Sequence, residues 1–396
     1  MNILVITPGY LEVPAINGGA VENLIDTIVT ENEKYKKAKF KIITISNKIN
    51  IDKCNKENTE YIHINNKSFL FKIKRILCFL INKIPLIYIG NSFIREVVKI
   101  LKNNKQNFDV VIIENNPLYI LKIKKYIKVP IILHLHNDYL NNKTKLNKKV
   151  YSEYDKIVTV SNYIGNRVKT IDVKSNKIIT LYNGIDIKRF KQEIPEIDKK
   201  QIRDRYRINE NDFVFLYTGR IIPQKGVKQM IQAFNNVNET IKNIKLLIVG
   251  SSAFKNAKKS KYIKELEKLV SKNNENIIFT GYVDYNEINK IYKSCQVQIV
   301  PSLWGEALAN TVIEGMAAGI PQILNNIGGI PELLKKETAL FCDEKNLISS
   351  LEKNMIELIN NKERFLNLKN INVENSNIFD QKQFYDNYID IMKLKL

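Results

Sequence analysis

Twice along this chain, short apolar runs alternate with longer amphipathic segments. Strands buried on both faces read as continuous apolar runs, and parallel neighbours need a long crossover, usually a helix. The alternation therefore predicts parallel sheets flanked by helices. The first set comprises Ile3–Thr7, Lys41–Ser46, Val110–Glu114, Pro130–His136 and Lys156–Ser161, with helices starting near Ala20 and Ser92. From 183 to 213 the pattern lapses into an Asn183-Gly184 turn and a charged stretch containing Pro195. A second set follows: Phe213–Thr218, Lys245–Gly250, Asn276–Thr280, Gln296–Pro301 and Pro321–Asn325. Phe384, Tyr388 and Ile391 then recur at helical spacing. At 396 residues the chain has room for two domains, each with its own core. The expected fold class is α/β: two Rossmann-like doubly wound domains over 1–184 and 185–378, and a terminal helix over 379–396. In such sheets ligands bind at the carboxyl ends of the strands.

Lys and Arg number 62 against 41 Asp and Glu, a formal charge of +21. That field attracts polyanions: nucleic acid, anionic lipid or phosphorylated small molecules. Cys54, Cys78, Cys295 and Cys342 form no C-x-x-C, which speaks against a structural zinc or a disulfide framework and suits a reducing compartment. The first strand begins by residue 3 with no basic segment and cleavage site before it, so a cytoplasmic location is expected. Ser68 to Ile94 is strongly apolar, but Lys72, Lys74, Arg75 and Lys83 interrupt it. Its longest uncharged run, Ile84 to Ile94, has 11 residues, short of the roughly 20 that span a bilayer.

Several chemistries lack their signatures. No two glycines stand two apart, so the G-x-G-x-x-G dinucleotide fingerprint is absent. Neither a P-loop nor G-x-S-x-G occurs. His134, His136 and Asp138 form H-x-H-x-D, which invites a metal reading, but only His63 remains as a further imidazole. No metal site is expected from this pattern. No D-x-D pair occurs either, so an enzyme handling diphosphate here would neutralise it with cationic side chains and helix N-termini.

Three segments supply those groups. Thr218-Gly219-Arg220 ends a strand and Pro223-Gln224-Lys225-Gly226 precedes a helix, placing a guanidinium and an ammonium on one loop. By itself this reads equally as a solvated turn in a Lys-rich protein. Pro301 to Glu306 ends another strand, and a helix over Asn310–Ala318 follows, closed by Gly319 and Pro321. Its start presents the N–H groups of Leu308, Ala309 and Asn310 to an anion. Glu314, about one turn inside a small-residue helix, needs a hydrogen-bond partner, and a ribose diol would serve. Third, Asn17-Gly18-Gly19 follows the first strand and opens a helix, where backbone can approach a ligand or simply turn.

These segments carry a resemblance. G-G-A-V-E-N at 18–23, H-N-D at 136–138, V-S-N-Y-I at 160–164 and Y-N-G-I-D at 182–186 occur in order. G-R-I-I-P-Q-K-G at 219–226, V-G-S at 249–251, E-A-L-A-N-T-V-I-E at 306–314 and G-G-I-P-E-L at 328–333 follow. Together they resemble glycosyltransferase family 4, enzymes of the GT-B fold that retain anomeric configuration. The resemblance implies two domains facing across a cleft, the first for the acceptor and the second for the nucleotide sugar, with the terminal helix crossing back. It implies that Arg220 and Lys225 contact the donor diphosphate, Glu306 the donor sugar's hydroxyls, and Glu314 the ribose. His136 corresponds to the histidine near the donor sugar, Gly18 and Gly19 to the loop by the phosphates, and Tyr282 and Val283 to the segment that reads the base. The implied mechanism is same-face attack, with cations and helix amides stabilising the leaving group and no metal or other cofactor. Ala307 and Leu308 depart from the residues common after the first Glu, which blurs donor choice.

The stretch V-G-S-S-A-F-K-N-A-K-K-S-K-Y-I-K-E-L, with H-x-H-N earlier, resembles the branch of lipopolysaccharide-core N-acetylglucosamine transferases and spore-coat or capsule relatives, which implies a UDP-sugar donor and a cell-surface glycan acceptor. From Lys67 to Lys105 there are nine Lys or Arg against only Glu96, interleaved with apolar residues. This stretch reads either as a surface docking on the anionic inner face of the plasma membrane, where a lipid-linked acceptor waits, or as a helix pair burying its apolar face. A nucleic-acid-binding protein would share the charge, but no recognised module appears and nucleic acid is not expected as a partner. A non-catalytic partner of another transferase and a related reaction such as sugar-nucleotide epimerisation on a similar fold are the remaining alternatives.

Overall fold

The computed structural model describes the chain apart from residues 17, 47–53, 67–68, 85–86, 104–106, 252–259, 271–274, 335–336 and 395–396, and the side chains of 69, 70, 72 and 74. Asn17, much of the V-G-S-S-A-F-K-N-A-K-K-S stretch, and parts of Lys67–Lys105 thus lie outside the described residues. The chain forms two compact units, Met1–Gly184 with Gln381–Leu396, and Ile185–Asp380.

The first unit holds a seven-stranded parallel sheet: β1 (Asn2–Ile6), β2 (Lys39–Ser46), β3 (Thr59–Asn65), β4 (Val110–Glu114), β5 (Ile131–Leu135), β6 (Lys156–Thr159) and β7 (Ile178–Thr180). Their order is β3-β2-β1-β4-β5-β6-β7, so the chain winds outward in both directions from β1 and β4. β4 and β5 are buried at every residue, which is why their sequences are apolar without alternation. The helices Ala20–Tyr35 and Ser92–Asn103 start where expected. The helix Gln381–Lys393 belongs to this unit: Phe384, Tyr385, Tyr388 and Ile389 join Ile3, Val5 and Ile25 in one core cluster.

The second unit repeats the plan with β8 (Phe213–Thr218), β9 (Ile244–Val249), β10 (Ile277–Gly281), β11 (Val297–Val300), β12 (Gln322–Asn325) and β13 (Leu340–Cys342). The order is β10-β9-β8-β11-β12-β13, again parallel. The central strands match the sequence reading to within two residues. The strands it missed, β3, β7 and β13, are all outermost in their sheets. With one side unpaired, β3 alternates buried and exposed positions, and β7 is only partly buried throughout. Neither gives the unbroken apolar run that marks a central strand. The stretch read as a lapse contains two helices, Ile187–Lys191 and Glu196–Arg205, the second preceded by Pro195 at its N-cap. The first is only five residues long and the second buries Ile202 alone, so neither shows an apolar stripe at helical spacing.

Candidate functional site

In the second unit the loops after β8 and β11 are locked together by backbone. Gly226 has φ +70 and packs so closely on the Pro301 carbonyl that a methyl group would collide with it. Leu303 N–H donates to the Gln224 carbonyl at 2.8 Å, tying the same two loops. Consequently Lys225 and Glu306, 81 residues apart in sequence, form an ion pair between largely buried side chains. Ser302 Oγ donates to Glu306 Oε1 at 2.6 Å. Gly328 packs on the Glu306 backbone, and Gly329 N–H donates to its carbonyl at 2.7 Å. The G-G-I-P-E loop therefore clamps this carboxylate in place. Arg220, at the end of β8, is exposed and forms no ion pair among the described residues.

The helix Asn310–Ala318 follows, its N-cap at Ala309 without any side-chain capping bond. Leu308 and Asn310 are half-buried and Ala309 is buried. An uncapped N-terminus at the carboxyl end of a parallel sheet suits an anion. Glu314 lies inside this helix and is only 7 % exposed. Tyr292 Oη donates to its Oε2 at 3.0 Å, and Tyr285 supplies a second hydroxyl. Burial raises the Glu314 carboxyl to about 7 despite these donors.

Behind Glu314 runs a polar network that the sequence did not announce. Gln298 Nε2 bonds the Thr311 carbonyl at 2.9 Å and the Tyr292 hydroxyl at 3.2 Å, and Gln322 Nε2 donates to the Val312 carbonyl at 2.9 Å. Gln298 and Gln322 are fully buried on neighbouring strands. Polar residues inside otherwise apolar strands are the one signal that would have found them. Tyr285 lies under the Arg189 guanidinium, 4.9 Å from its ring centre. Tyr282, 48 % exposed, and half-buried Val283 stand in the loop after β10, ahead of Tyr285.

In the first unit, Gly18 and Gly19 have φ +77 and +118, and Gly19 is the N-cap of Ala20–Tyr35. The Glu22 carboxylate folds back over Gly19, close enough that any side chain there would strike it. Glu22 is 4 % exposed; burial raises its pKa against the pull of its own backbone N–H, and the charge of Glu114 raises it further. The start of this helix thus already carries an acidic group, which the sequence reading did not foresee.

His136 stands just past β5, and its partner is Glu114, which the sequence reading treated only as a strand end. In the pairing of β4 with β5, Glu114 lies opposite His134. His136 Nε2 is 2.7 Å and His134 Nδ1 3.2 Å from Glu114 Oε2. Asn115 Oδ1 accepts the His136 backbone N–H at 3.1 Å. Burial would raise Glu114, but the facing imidazoles of His134 and His136 outweigh it and hold the carboxyl ionised. Burial, then the neighbouring His134 ring, lowers His136. The H-x-H-x-D pattern is corrected here: Asp138 does not join the histidines but accepts from Arg167 Nε at 2.7 Å and from Asn141. A side chain two residues past His136 has left the strand, whereas Glu114 arrives from the next strand.

The apolar stretch of the first unit forms the helix Phe69–Ile81. Ile76, Leu77, Phe79 and Leu80 are each more than half exposed, and Ile73, Ile81, Ile84 and Ile87 more than a third. A helix pair burying this face therefore does not describe these side chains. No helix among the described residues is long and apolar enough to cross a membrane.

Residues 63–189 match the model for Glycosyltransferase Family 4, and residues 198–374 that for Glycosyl transferases group 1. Spore coat protein SA of Bacillus subtilis is 24% identical over 344 residues, 85% of this chain and 84% of its own length. The capsular polysaccharide biosynthesis glycosyltransferase CapM of Staphylococcus aureus is 29% identical over 212 residues, about half of each chain at 52%. Among solved structures, Anabaena HepE in complex with UDP and glucose superposes with a TM-score of 0.75 at 14% identity, covering 99% of both chains. At that identity the likeness speaks for the fold, two parallel-sheet Rossmann-like domains of the GT-B kind.

Proposed function

The chain belongs to the glycosyltransferases described by the family 4 and group 1 models, and on that premise we propose that it transfers a hexose or N-acetylhexosamine from a UDP-sugar to a bacterial cell-surface glycan. The observation that carries the donor half is the second unit's loop cluster: a fixed Lys225–Glu306 pair beside an uncapped helix start, with Glu314 buried one turn inside that helix. A nucleoside diphosphate needs these three things: cations and amides for its phosphates, and a carboxylate for its ribose diol. We assign the diphosphate to Arg220, Lys225 and the amides around Leu308, Ala309 and Asn310. Glu314 takes the ribose, Glu306 the sugar hydroxyls, and the Tyr282–Val283 loop the base. In the first unit, His136 attends the sugar being transferred, and the Gly18–Gly19 turn lets backbone approach the donor phosphates.

Bond breaking puts negative charge on the departing diphosphate, and Lys225 and Arg220 stabilise it without a metal. No acid in this assignment serves as a covalent nucleophile. Same-face attack, in which the leaving phosphate takes the acceptor proton, keeps the anomeric configuration. UDP-bound HepE and the capsule-related CapM support a UDP donor and a surface-glycan acceptor, with UDP-N-acetylglucosamine first among the donors to try. The exposed apolar helix Phe69–Ile81, with Arg75 and Lys83, fits docking on an anionic membrane that presents a lipid-linked acceptor.

The test is nucleoside diphosphate release from a panel of UDP-, GDP- and ADP-sugars, with and without EDTA. A UDP-sugar is turned over in both conditions, and Lys225→Ala slows release by about 100-fold. Loss of all turnover in EDTA defeats the metal-free mechanism. Release by Lys225→Ala at the wild-type rate removes the phosphate role.

A further inference from the structure

We propose that Glu114, His134 and His136 form a site for a divalent transition cation of the Zn2+ type, and that its occupancy takes His136 out of the transfer reaction. The second clause rests on the role given to His136 above; the first stands on geometry.

His134 and His136 are two residues apart along β5 and its extension, so both rings fall on one face of the sheet. Their centroids are 4.2 Å apart. Both rings aim at one oxygen of a carboxylate delivered by the neighbouring strand, and the three donor atoms lie within 4.8 Å of one another. His134 and Glu114 are fully buried. His134 Nε2 is buried with no hydrogen-bond partner among the described residues, and the ring's other nitrogen turns toward Glu114.

Charge points the same way. Glu114 is paired with these two imidazoles and with no Lys or Arg among the described residues. Glu22, a second buried carboxylate, lies within reach of its field. A buried carboxylate oxygen faced by two imidazole nitrogens and by no Lys or Arg among the described residues is a ready ligand for a cation. Two imidazoles and one carboxylate suit Zn2+ and its neighbours, whereas Mg2+ and Ca2+ favour all-oxygen sets. Ligand bonds of about 2.1 Å place tetrahedral donors about 3.4 Å apart. The 3.2 Å separation is close to this, and the 2.7 Å one, now a hydrogen bond, needs to open by about 0.7 Å.

A neutral His136 ring that donates from Nε2 to the Glu114 carboxylate keeps a lone pair on Nδ1. A cation on Nε2 replaces that proton, the ring proton moves to Nδ1, and the atom that accepted now donates. The imidazole stays neutral, but its chemistry toward a sugar hydroxyl is inverted.

The experiment is equilibrium dialysis of the EDTA-stripped full chain against Zn2+, Co2+ or Mg2+, with the visible spectrum of the Co2+ form. One equivalent of Zn2+ or Co2+ binds, Co2+ gives the intense bands of a four-coordinate site, and Mg2+ does not bind. Glu114→Gln and His134→Gln, each checked for a wild-type thermal transition, weaken binding at least tenfold. The double variant Cys54→Ser/His63→Ala, which removes the third histidine and the least buried cysteine, binds as wild type. Absence of stoichiometric binding overturns the site, as does binding lost only in the double variant. In the release assay Zn2+ inhibits and EDTA restores; binding without inhibition overturns the second clause. Should no donor be turned over, the donor reading fails and dialysis still decides the site.

Discussion

Glu314 is a carboxylate placed where ionisation is costly. Burial moves it from an ordinary 4.5 to about 7, which favours its neutral form in the folded chain by about 3 kcal/mol. Between those pH values the folded state holds a proton that the unfolded state releases. Stability is therefore greatest below about pH 4.5 and declines as pH rises to about 7 for this group. Glu314→Gln should flatten that slope in denaturant unfolding measured across pH. The nucleotide binding proposed for Glu314 runs the other way, because ribose hydroxyls would donate to the ionised carboxylate. Calorimetric titration with UDP should show affinity rising from about pH 6 to pH 8 in the wild type and level in Glu314→Gln. A wild-type affinity that ignores pH would remove Glu314 from the ribose.

At the scale of elements, the site depends on how two strand-end loops touch. Gly226 combines a left-handed φ of +70 with contact on the Pro301 carbonyl, so no other residue fits without moving the β8 or β11 loop. Gly226→Ala should cost at least about 2 kcal/mol, read by denaturant midpoint, because backbone strain and a collision add. It should also depress donor turnover more than stability alone accounts for, since Lys225 is the preceding residue. A variant as stable and active as wild type would show that the two loops are not held by this contact. The helix Asn310–Ala318 was legible from its small residues and its Gly319 end, and forms over those residues. The buried glutamines beneath it were not, because nothing in a strand's own sequence says which helix will cover it.

For the whole molecule, the +21 charge and the exposed face of Phe69–Ile81 bear on a membrane surface together. Sedimentation with vesicles containing anionic phospholipid should carry the protein down, and neutral vesicles should not. Salt should weaken the interaction, since exposed charges are screened within about 10 Å at 0.1 M. Ile76→Glu with Phe79→Glu should abolish sedimentation and leave the thermal transition near wild type, because both side chains are already exposed. Equal binding to neutral and anionic vesicles would reject electrostatic docking.

The sequence by itself determined the parallel α/β units and the central strands, because burial on both faces demands continuous apolar runs that need no partner to be recognised. It also offered Lys225, Glu306 and Glu314 as candidate residues at strand ends and within a small-residue helix, with roles implied by their resemblance to a family's motifs. Only the tertiary structure decided their partners. Register between separate strands puts Glu114 opposite His134, and loop contact across 81 residues puts Lys225 on Glu306. Spacing along a chain governs periodicity within one element, so it offered Asp138 to the histidines. Backbone hydrogen bonding between strands gave them Glu114 instead.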